Sequence, residues 1–452
     1  MRRTWVPLCA VSLVALASAA ACTEGPIAST STTTSTPAVT TPPSTDDAAA
    51  SSTTVASDGS VVSAQAGKEW AFGTVPDRAT PADASLDPLV VGIINQENVP
   101  IGSFPEMRLA AQSAFDWINA ELGGVNGRPI EVVTCIANFS VEQSQACAQQ
   151  MVQAGAVAVI SGIDISSNGS VPVFEQNGIA MLSAIPTTLA ELRSPIAFSF
   201  SGGITGAYVA FVADAHEKGA TSIAIGYGDY ESFAVPATSY AAPVAESLGM
   251  KVTLIPFPIT TNDFLPVVQA AVDSGADAIA VAAADSSCVP LMTTLHDLGY
   301  QGLPYIVGAC AAAQILQQVP DEIQAPIIFN TEGPPGPSVD GQLFLDATAR
   351  YTTGAAGGAG TVAFRTAMNL WHVMEGLGTD VTSAGILDAL RASKDAPSFW
   401  GHPYTCDGNQ VTGLPALCSP QQTTFRLPDD SGNAVPESTD WIDVPALVRG
   451  IG

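Results

Sequence analysis

AVAVISGIDISSNGSVPVFEQNGIAMLSAIPTT, residues Ala156 to Thr188, is the stretch whose reading decides the fold. Its apolar run Ala156 to Ile160 has strand length and stops at Ser161-Gly162. A helix is predicted to start near Ser166-Ser167, and a second apolar run, Ile179 to Leu182, ends at Ser183, ahead of Pro186, Thr187 and Thr188. Strand, polar turn, helix, strand, polar turn is one βαβ unit. Its two strands run the same way, so both turns open on one rim of the sheet. Ser166, Ser167 and the N–H groups of a helix start suit a carboxylate. Ser183, Thr187 and the strand-end carbonyls suit an ammonium or hydroxyl. The rim reads as a pocket for a small polar molecule without an evident nucleophile; the competing reading is that these Ser and Thr residues only cap helices.

Outward from this unit, the alternation continues in both directions. Upstream, Leu89 to Ile94 reads as a buried parallel strand. Glu106 to Leu122 has helical spacing and stops at Gly123-Gly124; Ile130 to Cys135 is a strand, and Ser140 to Ala154 a helix with Ser140 as N-cap. Downstream, Ala197 to Ser201 is a short strand. Helix–strand pairs then follow at 206–218 and 222–226, 233–248 and 251–257, 264–274 and 278–282, and 286–298 and 304–307. Ile327 to Thr331 is read as a crossing back to the first body. Helices near Val339–Tyr351, Thr361–Gly376 and Ser383–Ala392 come next, and Thr423 to Leu427 and Asn433 to Ile442 read as closing β elements. The pattern predicts two doubly wound α/β lobes.

Composition limits the partners. The chain has 452 residues, 47% hydrophobic and 13% charged, which is material for more than one core. Its formal charge of −27, from 42 acids and 15 bases, argues against a nucleic-acid partner, because phosphate binding needs a basic face.

The N-terminus reads as an export signal over residues 1–21: Arg2 and Arg3, the mostly apolar Val6 to Leu16, and the small residues Ala17 to Ala21. Ala19-Ala20-Ala21-Cys22 resembles a bacterial lipobox, with Ala19 where Leu is usual. That resemblance implies cleavage before Cys22 and lipid on its sulfur, anchoring the protein to the outer face of the membrane. Soluble secretion is the alternative. Thr23 to Ala66 holds 20 Ser or Thr among 44 residues and reads as a disordered tether. The tether, counted from Cys22, is expected to end by residue 85, with Trp70 and Phe72 as docking points on the first lobe.

Six cysteines remain beyond Cys9 and Cys22. Their even number in an exported chain suggests disulfides. Sequence neighbours suggest Cys135–Cys147, Cys288–Cys310 and Cys406–Cys418, although other pairings stay open. A zinc site is poorly supported: there is no C-x-x-C, and His402 is the only imidazole near Cys406. No metal or cofactor is expected.

Four segments carry a family resemblance: Val90-Val91-Gly92-Ile93; Met107 to Gln112; Gly123-Gly124-Val125-Asn126-Gly127-Arg128-Pro129-Ile130; and Phe174 to Ser183. From about Leu86 to Ile442 the chain resembles the Leu/Ile/Val-binding, branched-chain amino-acid type of periplasmic solute-binding proteins of ABC transporters. The resemblance implies a type I periplasmic binding protein: two doubly wound three-layer lobes joined by a three-crossing hinge, closing on a ligand between strand-end loops. The first lobe is expected at 86–201 plus 332–420, the second at 202–331 plus 421–446. It implies that Ser166 or Ser167 meets a ligand carboxylate and that Thr187, with Ser183 nearby, meets the amine. Tyr227, Tyr230 and Asp285 would act from the second lobe, and Gln96 and Glu97 lie in a first-lobe loop polar enough to reach the cleft. Where the family places the acid that pairs with the ligand ammonium, this chain reads Val307-Gly308-Ala309-Cys310. Another acid is then required, with Asp285, Asp229, Glu97 or Glu106 as candidates, or the ligand lacks the amine.

The expected role is capture of a small polar solute, an amino acid or related amide or carboxylate, by a monomer serving an ABC permease. A ligand-sensing receptor subunit of the same fold is the alternative. An enzyme is the remaining class, but HExxH, GxSxG and P-loop patterns are missing from the sequence. His216, His296, His372 and His402 lack an evident Ser or Cys partner.

Overall fold

The structure, a computed structural model, describes residues 64–99, 102–282, 284–352, 354, 357–427 and 434–451, and the backbone alone of Asp285. The expected signal segment, Cys22 and most of the expected tether lie outside the described residues.

Five strands form an all-parallel first sheet, in the spatial order Ile130–Ala137, Leu89–Gln96, Ala158–Ser161, Ala180–Ser183, Ala197–Phe198. Ala158–Ser161 and Ala180–Ser183 are buried along their whole length, as a strand covered by helices on both faces requires. A second, seven-stranded sheet is centred on the parallel strands Ser222–Gly228, Ala278–Ala282 and Leu303–Ile306. Ile328–Thr331, read from sequence as a crossing, is first a strand of this sheet, parallel to Leu303–Ile306. Thr423–Arg426 then adds antiparallel to it. Helices Val339–Tyr351, Gly360–Gly376 and Ser383–Ala392 return to the first sheet, where Phe344, Phe364 and Ile386 join its core. The chain thus passes between the sheets three times, and the first and third passages run side by side: Ser199 N donates to Ala416 O at 2.7 Å and Cys418 N to Ser199 O at 2.8 Å.

Some local expectations are corrected. The helix expected at Ser166 begins at Val171, after a run of turns. Asp164 explains the delay: its Oδ1 accepts the Ser166 N–H at 3.0 Å, which fixes a turn where a helix would begin. The helix expected at 233–248 runs as Glu231–Val235, a π-helical stretch Pro236–Ala241 and Ala242–Ser247. Pro243 has no N–H to continue an α-helical ladder, and the wider π turn absorbs the mismatch. Short helices Leu189–Arg193 and Val444–Arg449 were not foreseen.

Described residues 64–85 are not tether. Glu69–Trp70 and Gly73–Thr74 pair as an antiparallel hairpin. The Trp70 ring lies 5.9 Å from Trp117, 6.2 Å from Trp371 and 6.1 Å from Phe399. The following residues are tied to the end of helix Pro105–Glu121, with Thr80 N donating to Glu121 O and Ala82 N to Asn119 O, each at 2.8 Å.

The three disulfides are Cys135–Cys147, Cys288–Cys310 and Cys406–Cys418. Because Cys406 is oxidised, the zinc reading loses its thiolate, and among the described residues no cluster of metal-ligating side chains occurs. Among them too, no helix is long and apolar enough to cross a membrane.

The Gly123-to-Ile130 motif joins helices. Trp371 Nε1 donates to Gly124 O at 2.7 Å, Asn126 is bonded to Glu375, and Ile130 N donates to Asn119 Oδ1 at 2.8 Å. Gly124 sits at φ +70°, and a Cβ there would collide with the Arg128 carbonyl.

Candidate functional site

A cavity of about 590 Å³ lies where the carboxyl ends of both sheets face each other. That volume falls within the range of roughly 300–1,000 Å³ usual for ligand pockets. Phe104, Ile163, Ile165, Ile185 and Thr187 reach its wall from the first sheet's loops; Phe233, Ala282, Ala284 and Val307 reach it from the second. The rest of the wall comes from the crossings, Ser201, Asn330 to Pro337 and Thr423 to Phe425, and from Trp400 and the start of helix Gly360–Gly376.

Of the residues singled out in the sequence, Thr187 is on this wall. It is 5% exposed, and its Oγ1 is buried without a partner. Ser183 and Ser167 are fully buried and turned to the fold's own groups. Ser183 Oγ donates to Glu191 Oε1 at 3.3 Å, and Ser167 Oγ shares a hydrogen with Thr188 Oγ1 at 2.6 Å. Ser166 is buried, with its amide held by Asp164.

Glu191 organises this corner. It is fully buried; Oε1 accepts Ser161 Oγ at 2.9 Å as well as Ser183 Oγ, and Oε2 accepts the amides of Thr187 and Thr188 at 2.8 and 3.3 Å. Thr188 Oγ1 accepts the Glu191 N–H at 3.2 Å in return, completing a capping box on helix Leu189–Arg193. The chain's own carboxylate therefore takes hydroxyls and amides of the kind that the sequence offered to a ligand. Burial, reinforced by the neighbouring Asp164, pushes the Glu191 pKa up to about 7, against the pull of the hydrogen bonds from Thr187, Ser161 and Thr188. The Thr188-Leu189-Ala190-Glu191 spacing is the readable signal for this arrangement.

The loop residues brace the rim. Gln96 is buried and donates from Nε2 to Gly102 O at 3.0 Å. Glu97 is paired with Arg108 by two contacts, of 2.7 and 3.0 Å. Neither is on the described wall. Tyr230 stands at the lobe boundary: its hydroxyl is 3.5 Å from Ile165 O and its ring 6.5 Å from Phe139, both on the first lobe. Tyr227 packs on the second lobe's core. The Asp285 side chain is outside the described residues. Among the other acids considered, Asp229 is exposed and Glu106 is buried in the first turn of its helix.

Where the resemblance placed an acid, the chain forms a one-turn 3-10 helix, Gly308–Ala311, whose Cys310 is buried and bonded to Cys288. Among the described wall residues Glu332 is the single acid, and none is Lys, Arg or His. Its Oε1 accepts Ser201 Oγ at 2.6 Å, Gly202 N at 2.9 Å and Gln422 Nε2 at 3.0 Å; its Oε2 accepts Arg365 Nη1 at 3.0 Å. Those donors come from the first crossing, the third crossing and helix Gly360–Gly376, while Glu332 is on the second crossing. Arg365 is buried, and Nη2 donates further to Glu332 O at 2.7 Å and Trp400 O at 3.1 Å. Burial presses the Arg365 pKa down and Glu332 opposes it. No room exists for a side chain at Gly202, where a Cβ would lie 2.7 Å from Pro420 O.

A sequence profile of the family described as periplasmic binding protein matches residues 88–414. The chain belongs to that family, and its fold is the type I periplasmic binding fold of two α/β lobes and three crossings. A search of curated proteins gives no match. Among solved structures, a solute-binding protein of an ABC transporter from R. palustris, in complex with 4-hydroxybenzoate, is similar at 17% identity and a TM-score of 0.67, over 79% of this chain and 97% of that one. A leucine-binding protein from Thermotoga maritima is similar at 15% identity and 0.64, over 77% and 98%. A fatty acid ABC transporter substrate-binding protein from Thermomonospora curvata is similar at 17% identity and 0.64, over 82% and 97%.

Proposed function

We propose that the protein is an extracytoplasmic solute-binding lipoprotein, held to the outer membrane face through Cys22, that captures a small molecule between its lobes for an ABC importer. The observation that carries this reading is the cavity itself, walled by the carboxyl-end loops of both sheets and closed at the back by the crossings. A solute there touches both lobes at once, so it binds the closed arrangement more tightly than the open one. That difference in affinity is what drives closure and gives a permease a shape to recognise. The Tyr230 hydroxyl, 3.5 Å from Ile165 O across the boundary, is read as a contact that belongs to the closed arrangement. The chain is read as a binding protein and not an enzyme: the wall offers no acid–base pair or activated nucleophile among its described residues.

A thermal-shift screen of amino acids, amides and small organic acids and alcohols, followed by calorimetry, tests the reading. Thr187→Ala is expected to weaken the solute that is found, and unchanged affinity would remove Thr187 from the site. Cys22→Ser is expected to release the protein into the medium; retention on membranes would refute the anchor.

A further inference from the structure

We infer that the solute is a largely apolar organic molecule that lacks the ammonium group of an amino acid and carries a single oxygen function directed at Thr187. This rests on the reading of the interlobe cavity as the solute site.

The hydroxyl, amide and carboxylate side chains of the described wall can be taken one by one. Ser201 and Glu332 are bonded to each other; Asn330 donates to Gln422 Oε1 at 2.8 Å and accepts the Gly308 N–H at 2.8 Å. Thr423 Oγ1 donates to Gly333 O at 2.7 Å, Thr424 Oγ1 to Asp214 Oδ1 at 2.9 Å and Thr361 Oγ1 to Gly358 O at 2.8 Å. Thr331 Oγ1 accepts the Gly333 N–H at 3.3 Å. Thr187 is the exception, with a buried hydroxyl that has no partner. A buried hydroxyl without a hydrogen bond is costly, and a ligand oxygen relieves it.

Among the described wall residues an ammonium has no such opening. It needs a carboxylate or several strong acceptors when removed from water. The single acid on the described wall already accepts four hydrogen bonds, one from a buried arginine whose charge it neutralises. The turn that would carry a dedicated acid is instead fixed by the buried Cys288–Cys310 disulfide, with Val307 and Ala309 on the wall. Ile163, Ile165, Ile185, Ile204 and Phe233 supply an apolar remainder, which gains from burying hydrocarbon and offers no hydrogen bond to a zwitterion.

The test is an isosteric series measured by calorimetry on the full folded chain: leucine, 4-methylpentanoate and 4-methylpentan-1-ol, then phenylalanine, 3-phenylpropanoate and 3-phenylpropan-1-ol. Within each set the body is constant while the amine and then the charge are removed. The deamino compounds are expected to bind at least about tenfold more tightly than the parent amino acid. The acid-to-alcohol comparison states which oxygen function Thr187 prefers, and for the preferred compound Thr187→Val is expected to lose about tenfold where Thr187→Ser does not. An amino acid that binds as well as its deamino counterpart, or the failure of every deamino probe at millimolar concentration, overturns the inference. Ala309→Trp separates this from failure of the site: it places an indole at the wall from a half-buried position. A probe that binds this variant with unchanged affinity lies elsewhere, and then the cavity reading fails.

Discussion

Arg365 Nη1 lies 3.0 Å from Glu332 Oε2, and through this one carboxylate all three inter-lobe crossings are joined to helix Gly360–Gly376. The pair is buried and its Glu332 borders the cavity, so one member of the joint that ties the crossings together is part of the wall a solute touches.

Arg365→Met leaves Glu332 charged, buried and short of its cationic partner. Breaking such a pair costs roughly 3–5 kcal/mol, read from denaturant unfolding. Adding Glu332→Gln to the same chain is expected to recover much of the loss, because no unpaired charge remains. A double variant as unstable as the single one would mean that Arg365 acts by packing alone.

Glu191 makes stability fall with pH. Its pKa in the folded protein, about 7, is above the ordinary value of about 4.3 for the unfolded chain. The folded state therefore holds the proton more tightly. The stability this contributes is complete below about pH 4 and is lost as pH rises through about 7, on the order of 3 kcal/mol in all. Glu191→Gln keeps an acceptor for the amides of Thr187 and Thr188 and removes the titration. Its Tm is expected to vary less between about pH 5 and 8 than that of the unmodified protein. Parallel pH profiles would show that Glu191 does not titrate in this window.

The Cys288–Cys310 bridge closes a loop with a sequence separation of 22 residues. Replacing both cysteines by Ser is expected to cost roughly 3 kcal/mol by loop-closure entropy. It also frees the Gly308–Ala311 turn at the cavity wall, so solute affinity falls along with Tm. Loss of stability with affinity intact would separate the bridge from the site.

Trp70 joins the segment ahead of the first sheet to the lobe. Trp70→Ala removes aromatic contacts with Trp117, Trp371 and Phe399 and is expected to cost about 2 kcal/mol of first-lobe stability, with reduced near-ultraviolet circular dichroism. No change would return residues 64–85 to the status of a tether.

The alternation of helices and strands was legible because buried parallel strands such as Ala158–Ser161 and Ala180–Ser183 leave short apolar runs bounded by Ser and Gly. Disulfide neighbours were legible too, since Cys135 and Cys147 sit on a strand and on the helix that follows it. The candidate site was less so. The sequence marks Ser161, Ser183 and Thr187 as polar groups at strand ends, but which faces the cavity depends on where Glu191 lies after a turn of helix. The Thr188 capping box was a signal in plain view. Arg365 and Glu332 carry no local signal: they are 33 residues apart, and their pairing exists only once the crossings are assembled. The terminal hairpin was hidden by the Ser/Thr-rich run before it, although Trp70 and Phe72 pointed to docking.

A crystal structure of the protein with the tightest solute from the isosteric series tests the account most directly. The account predicts solute between the lobes, touching Ile165 or Ile185 from the first sheet and Val307 or Phe233 from the second, with its oxygen within hydrogen-bond distance of Thr187 Oγ1. Solute bound on one lobe alone, or outside this cavity, would contradict it.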